Sequence, residues 1–159
     1  MRKKEHRSIF YEFSSLSELS NNDRQLIEKA KAATSNAYAP YSELNVGSAV
    51  LLENGRNFAG NNQENSAFPA GLCAERVAVF YAKAQFPESA IQTLAITAIK
   101  KGMLTEDPPV PCGGCLQVLL ENESRDGKPI KILLYGANKI VMGEGIRQFL
   151  PLGFDRKSL

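Results

Sequence analysis

Thr93-Leu94-Ala95-Ile96-Thr97-Ala98-Ile99 is an uncharged run of apolar and β-branched residues, and it reads as a strand buried on both faces. On its N-terminal side, residues 72–85 are rich in Ala, Val and Glu and predict a helix that starts at or just before Cys73. Further out, residues 46–52 and 57–60 flank Glu53-Asn54-Gly55 and predict a hairpin, followed by a polar loop over 61–69. A first helix begins at Ser20 to Asn22 and runs to about Ala37, with Leu26, Ile27, Ala30 and Ala33 on one face and Pro40 ending it. On the C-terminal side, residues 100–110 predict a loop and 113–123 a helix. Residues 130–135 and 139–142 predict two strands, and 145–150 a last short helix. The order α-β-β-α-β-α-β-β-α predicts a mixed five-stranded sheet covered on both faces, a three-layer α/β/α sandwich. Residues 1–20 show no period and read as an N-terminal extension to a single domain over 21–159.

The 159 residues are 43% hydrophobic and 23% charged, a balance that supports one globular unit with a sizeable core. No apolar stretch approaches the roughly 20 residues that span a bilayer, and the N-terminus lacks the apolar core of a signal peptide. The expected setting is soluble and cytoplasmic. Of the net charge of +2, Arg2, Lys3, Lys4 and Arg7 against Glu5 supply more than all, so the body is close to neutral. Such a body has no basic stripe for a polyanion, which argues against a nucleic-acid partner.

Cys73, Cys112 and Cys115 are an odd set, so full disulfide pairing within one chain is impossible. Both cysteine clusters fall at predicted helix N-termini, where the helix dipole and free N–H groups favour thiolates. Cys112 and Cys115, three apart on one turn, can grip one ion, and Cys73 can supply a third ligand if its helix lies alongside. Zn²⁺ suits thiolates and takes four ligands in structural sites. The one histidine, His6, lies in the tail and there is no fourth cysteine, so three ligands plus a water is the arrangement left, a catalytic one. The competing reading is a redox pair, or core cysteines without metal. Glu75, two residues after Cys73, stands where it could carry a proton from a bound water, or could simply favour the first turn of its helix.

Cys73-Ala74-Glu75-Arg76 followed by Pro111-Cys112-Gly113-Gly114-Cys115 resembles the zinc-dependent cytidine deaminases, whose signature is His-or-Cys-x-Glu followed by Pro-Cys-x-x-Cys. Tyr38-Ala39-Pro40-Tyr41-Ser42, Val46-Gly47-Ser48-Ala49, Asn62-Gln63-Glu64-Asn65-Ser66-Ala67 and Gln117-Val118-Leu119 extend the resemblance to the small homotetrameric nucleoside branch, over residues 27–154. The resemblance implies one Zn²⁺ per subunit on Cys73, Cys112 and Cys115, with Glu75 as proton shuttle. It also implies Asn62 and Glu64 on the ribose and main-chain groups around Ala74 against the pyrimidine. A homotetramer with shared active sites is implied too, Phe154 reaching a neighbour's site. Arg76 would offset the net −1 of three thiolates on Zn²⁺. Leu44 stands where the family usually has a Phe near the base, Leu116 replaces a common Arg and Asn61 a common Cys.

The reaction implied is hydrolytic deamination of cytidine and deoxycytidine, with a deaminase of another cytosine-bearing small molecule as the nearest alternative. A non-catalytic zinc module is disfavoured by the three-ligand set and Glu75. The loop over 61–69 contains no Lys or Arg to neutralise a phosphate, so the expected substrate is a free nucleoside.

Overall fold

The structure is a computed structural model that describes residues 1–155. In chain order the elements are β1 (Tyr11–Phe13), α1 (Asn21–Ala33), β2 (Leu44–Leu52), β3 (Asn57–Asn61), α2 (Ala74–Gln85), β4 (Ile91–Lys100), β5 (Met103–Leu104), α3 (Gly113–Asp126), β6 (Lys131–Tyr135) and β7 (Ile140–Glu144). They form one mixed sheet in the order β1-β7-β6-β4-β2-β3, with β5 paired to the end of β4. β4 and β6 are parallel and the remaining pairs antiparallel.

Alternation along the central strands assigns the two faces. Ala49, Ala95 and Leu133 pack with Leu26, Ile27 and Ala30 of α1. Val50, Leu94, Ile96, Ile132 and Leu134 point the other way, into a larger core with Ala78, Val79 and Ala82 of α2 and Leu116, Leu119 and Leu120 of α3. The expected three layers are therefore present, with one helix on one face and two on the other.

The sheet has seven strands where five were expected. β1 is three residues long, too short to show a period, and pairs with β7 through contacts spanning more than 120 positions of sequence. β5 lies within residues 100–110, which the sequence predicts as loop. A two-residue turn, Lys101 at φ 51° and Gly102 at φ 77°, folds it back on β4. Both angles are positive, the hairpin geometry that matches strand twist. The expected last helix is a single 3-10 turn, Ile146–Gln148, and α1 ends four residues early, passing into a 3-10 turn over Thr34–Asn36.

Topology places the two cysteine clusters. β3 and β4 both run antiparallel to β2, hence parallel to each other; β3 is followed by α2, and β4, after the two-residue β5, by α3. The N-termini of α2 and α3 therefore start from the same end of the sheet. α2 lies close on β3 because Gly60 has no side chain: a Cβ there would fall 2.6 Å from the Ala78 nitrogen and 2.8 Å from the Ala74 oxygen. Those contacts are helix backbone, which cannot rotate away. Gly60→Ala should cost about 2–3 kcal/mol in urea unfolding; a change under ~0.5 kcal/mol would show that α2 can lift without cost.

Candidate active site

Cys73 and Cys112 are the N-cap residues of α2 and α3, and Cys115 is on the first turn of α3. Their sulfurs all lie within 4.8 Å of one another, and Cys73 and Cys112 are 3.8 Å apart. With Zn–S bonds of about 2.3 Å, two thiolates on one tetrahedral zinc stand about 3.8 Å apart, so the pair has the span the ion requires. All three are free thiols, Cys115 buried and Cys112 exposed. The Cys112 sulfur also accepts from the Cys115 backbone N–H at 3.4 Å. Contact with Cys115, together with the Arg76 guanidinium, holds the Cys73 thiol down to about 5 against its partial burial. Cys115 is pushed up, first by Cys73 and then by burial. Crowded thiols thus compete for one negative charge. A bound dication removes that competition by favouring the thiolate at every ligand.

Glu75 follows one residue into α2 and is 5% exposed. Burial pushes its carboxyl above the ordinary range, and the negative charge favoured at Cys73 adds to the shift. Arg76 donates to the Cys73 sulfur at 3.9 Å and to the Gly71 carbonyl at 3.3 Å. Its Nε is buried without a partner. The Cys73 contact raises its pKa further, so the guanidinium charge beside the thiols is secure.

A cleft of about 610 Å³ opens over this cluster. Ala74, Glu75, Arg76, Leu44, Asn62 and Glu64 line it along with Cys73 and Cys112, so one wall unites residues from β2, the loop before α2, and α2 itself. Asn62 is 9% exposed and its side chain is partly committed: Oδ1 accepts from Val46 N–H at 2.8 Å and Nδ2 donates to the Leu44 carbonyl at 2.9 Å. One N–H and one lone pair remain for a ligand. Glu64 accepts from Tyr41 N–H at 2.8 Å, and the Ser42 hydroxyl and this N–H hold its carboxyl below the usual range.

Phe154 does not line the cleft of its own chain. It is 58% exposed, and its carbonyl accepts from Gln117 Nε2 at 2.6 Å. Leu116 is 6% exposed within the α2–α3 core, and Asn61 donates to the Ala33 carbonyl at 3.1 Å, a stitch from β3 to the end of α1. The rim holds residues not singled out as site residues from sequence: Tyr41, Phe68, Pro109 and Val110. Tyr41 and Phe68 meet edge to face with ring centroids 6.1 Å apart, and both are exposed. An aromatic or β-branched residue beside proline in a polar loop was the one available signal.

A family model described as the cytidine and deoxycytidylate deaminase zinc-binding region matches residues 20–127, which take in both cysteine clusters, Glu75 and the cleft wall. The chain belongs to this deaminase family. A cytidine deaminase of Sporosarcina psychrophila is 43% identical over 97 residues, covering 61% of this chain and 67% of its own. One from Halalkalibacterium halodurans is 40% identical over 100 residues, covering 62% of this chain and 71% of its own. Among solved structures, the cytidine deaminase of Burkholderia pseudomallei superposes with a TM-score of 0.70 at 33% identity, over 86% of this chain and 100% of that one. That of Mycobacterium tuberculosis gives 0.64 at 30% identity, over 85% and 98%. The deaminase fold thus extends over most of the chain, and the thiol cluster at its centre could hold the zinc ion after which the family region is described. Among the described residues no helix is long and apolar enough to cross a membrane.

Proposed function

We infer that this deaminase-family chain hydrolyses the exocyclic amine of cytidine and deoxycytidine, releasing ammonia and leaving uridine or deoxyuridine. The observation that carries the reading is Glu75: a buried carboxyl with a raised pKa, beside three convergent thiols, lining a nucleoside-sized cleft. Zinc on Cys73, Cys112 and Cys115 would supply a Lewis acid that activates water for attack at C4 of the base. Glu75 takes one proton from the attacking water and places it on N3. It then takes the second from the hydroxyl so added at C4 and delivers it to the departing amine, which leaves as ammonia while the C4 carbonyl forms. Its burial makes the carboxylate a better base than a solvated one and suits it to both directions of transfer. Arg76 offsets the excess negative charge of three thiolates. Ala74, buried at the first position of α2, offers main-chain groups to the pyrimidine, with Leu44 on the wall where a ring could have stacked.

Asn62 and Glu64 are the proposed sugar contacts. An ionised Glu64 accepts from a hydroxyl and repels a phosphate dianion, so the wild type should favour cytidine over CMP by orders of magnitude. Glu64→Gln should weaken cytidine turnover about tenfold or more. Comparable efficiency on both substrates would remove nucleoside selectivity from the reading, and an unchanged cytidine efficiency in the variant would remove Glu64 from the sugar site.

The proposed assembly is a homotetramer in which the exposed Phe154 completes a neighbour's cleft. Light scattering on active protein should give four chains; an active monomer would end the shared-site reading. We take 21–159 as the catalytic unit and 1–20 as an appended segment whose residues 11–13 add an edge strand to its sheet. Three free thiols fit a reducing cytoplasm, and the nucleoside product fits a role in pyrimidine salvage. The decisive assay supplies zinc-loaded protein with cytidine, deoxycytidine, cytosine, CMP and adenosine, following cytosine absorbance and ammonia. No turnover of any cytosine compound would overturn the enzymatic reading.

A further inference from the structure

Glu64 is held in the cleft by one short segment. Its Oε2 accepts from the backbone N–H of Tyr41 at 2.8 Å and of Ser42 at 3.3 Å, and its Oε1 accepts from the Ser42 hydroxyl at 2.5 Å. The same Ser42 oxygen accepts from Leu44 N–H at 3.1 Å. One hydroxyl therefore ties the Glu64 carboxylate to the start of β2, where Leu44 forms part of the cleft wall. The chain turns sharply to make this possible. Glu43 adopts φ 56°, and its N–H donates to the Ala39 carbonyl at 3.1 Å, so the Tyr41 and Ser42 amides point together at Glu64.

We propose that Ser42 is a positioning and specificity residue that aims the Glu64 carboxylate at the sugar hydroxyls of the substrate. The inference rests on the sugar-binding role of Glu64 proposed above. An ionised carboxylate accepts only, and its two oxygens carry about four acceptor sites in all. The Tyr41–Ser42 segment occupies three, two on Oε2 and one on Oε1, which leaves the free direction on Oε1, the oxygen Ser42 holds. Without the Ser42 hydroxyl the Tyr41 and Ser42 amides still hold Oε2, but Oε1 could swing about that anchor and lose the entropy advantage of a fixed acceptor. Asn62, by contrast, is fixed by β2 backbone on both ends of its amide, so Ser42 governs one sugar contact and not the other.

Ser42 is exposed on a turn and its hydroxyl is the only part removed by Ser42→Ala, so the variant should fold and keep zinc. Its KM for cytidine should rise about tenfold, by more than its kcat falls, as for loss of a hydrogen bond to a charged group. Ser42→Thr, which keeps the hydroxyl, should restore most of that loss. The inhibition constant of 2′,3′-dideoxycytidine, which lacks the hydroxyls at issue, should move less than about twofold in Ser42→Ala. An equal weakening of cytidine and dideoxycytidine would mean that the change acts through the Leu44 wall, and the positioning role would be lost. A raised KM in Glu64→Gln with none in Ser42→Ala would overturn the proposal while leaving Glu64 on the sugar. No effect in Glu64→Gln would instead remove the sugar reading itself, and the role of Ser42 with it.

Discussion

Glu75→Gln is expected to retain one zinc per chain and the native circular dichroism while kcat/KM for cytidine falls by about 10⁴ or more, the upper range for general acid–base groups. The two side chains have the same shape. Gln fits the second position of α2 and leaves the three thiols untouched, but it cannot accept a proton from water or return one to the base. No other group can substitute. Among the described residues, the other charged side chains along the cleft, the clustered thiols aside, are Glu64, tied to the Tyr41–Ser42 segment, and Arg76, whose charge is locked in place by Cys73. The one histidine lies in the exposed N-terminal segment. Metal content by atomic absorption and steady-state rates check the outcome together. Activity within tenfold of wild type, in zinc-replete protein, would assign the proton to some other group.

Cys112→Ala is expected to lose zinc and, with it, at least about 10³-fold in activity, because two remaining thiolates do not close a site that takes three protein ligands. Cys112 has a second task. Its sulfur accepts the Cys115 N–H at the N-terminus of α3, so Ala removes a helix cap as well as a ligand. Cys112→Ser separates the two: a hydroxyl caps a helix well but is a poor zinc ligand. Cys112→Ser should therefore unfold at a higher temperature than Cys112→Ala yet bind zinc no better. If Cys112→Ala protein still carries a full equivalent of zinc after dialysis against a weak chelator, Cys112 is not a ligand. If both variants lose metal and unfold alike, the cap contributes nothing measurable.

The centre of the site was legible in sequence because its signals are local and rare. Three cysteines, two of them three residues apart, and Glu75 two residues after Cys73 can be read without knowing the fold. Both clusters flank helices whose starts are marked by the sequence. The cleft wall was less legible. The resemblance implies Asn62 on the ribose and says nothing of its protein partners, yet half its amide bonds β2 backbone sixteen and eighteen residues earlier. Glu64 was read with a sugar in view, while its partners are a turn more than twenty residues away. Phe68 and Val110 carry no signal of a site in sequence beyond a neighbouring proline, and Tyr41 enters only as part of a resembling block, since exposure at a cleft rim leaves no period behind.

Sequence alone determined α1, α2, α3 and the central strands, because hydrophobic periods of 3.6 and 2 are written within short windows. It also placed three thiols and a carboxylate, groups that match the deaminase signature, at the starts of two helices. Only the tertiary structure decided how many strands the sheet has and what surrounds the metal. The β1–β7 pairing depends on backbone hydrogen bonds between residues more than 120 positions apart, and three residues carry no pattern of their own. Convergence of Cys73 with Cys112 and Cys115 depends on β3 and β4 pointing the same way, which follows from their shared pairing with β2, and on Gly60 letting α2 lie against the sheet. Strand direction and close backbone approach are properties of the assembled sheet, and no local run of residues encodes them.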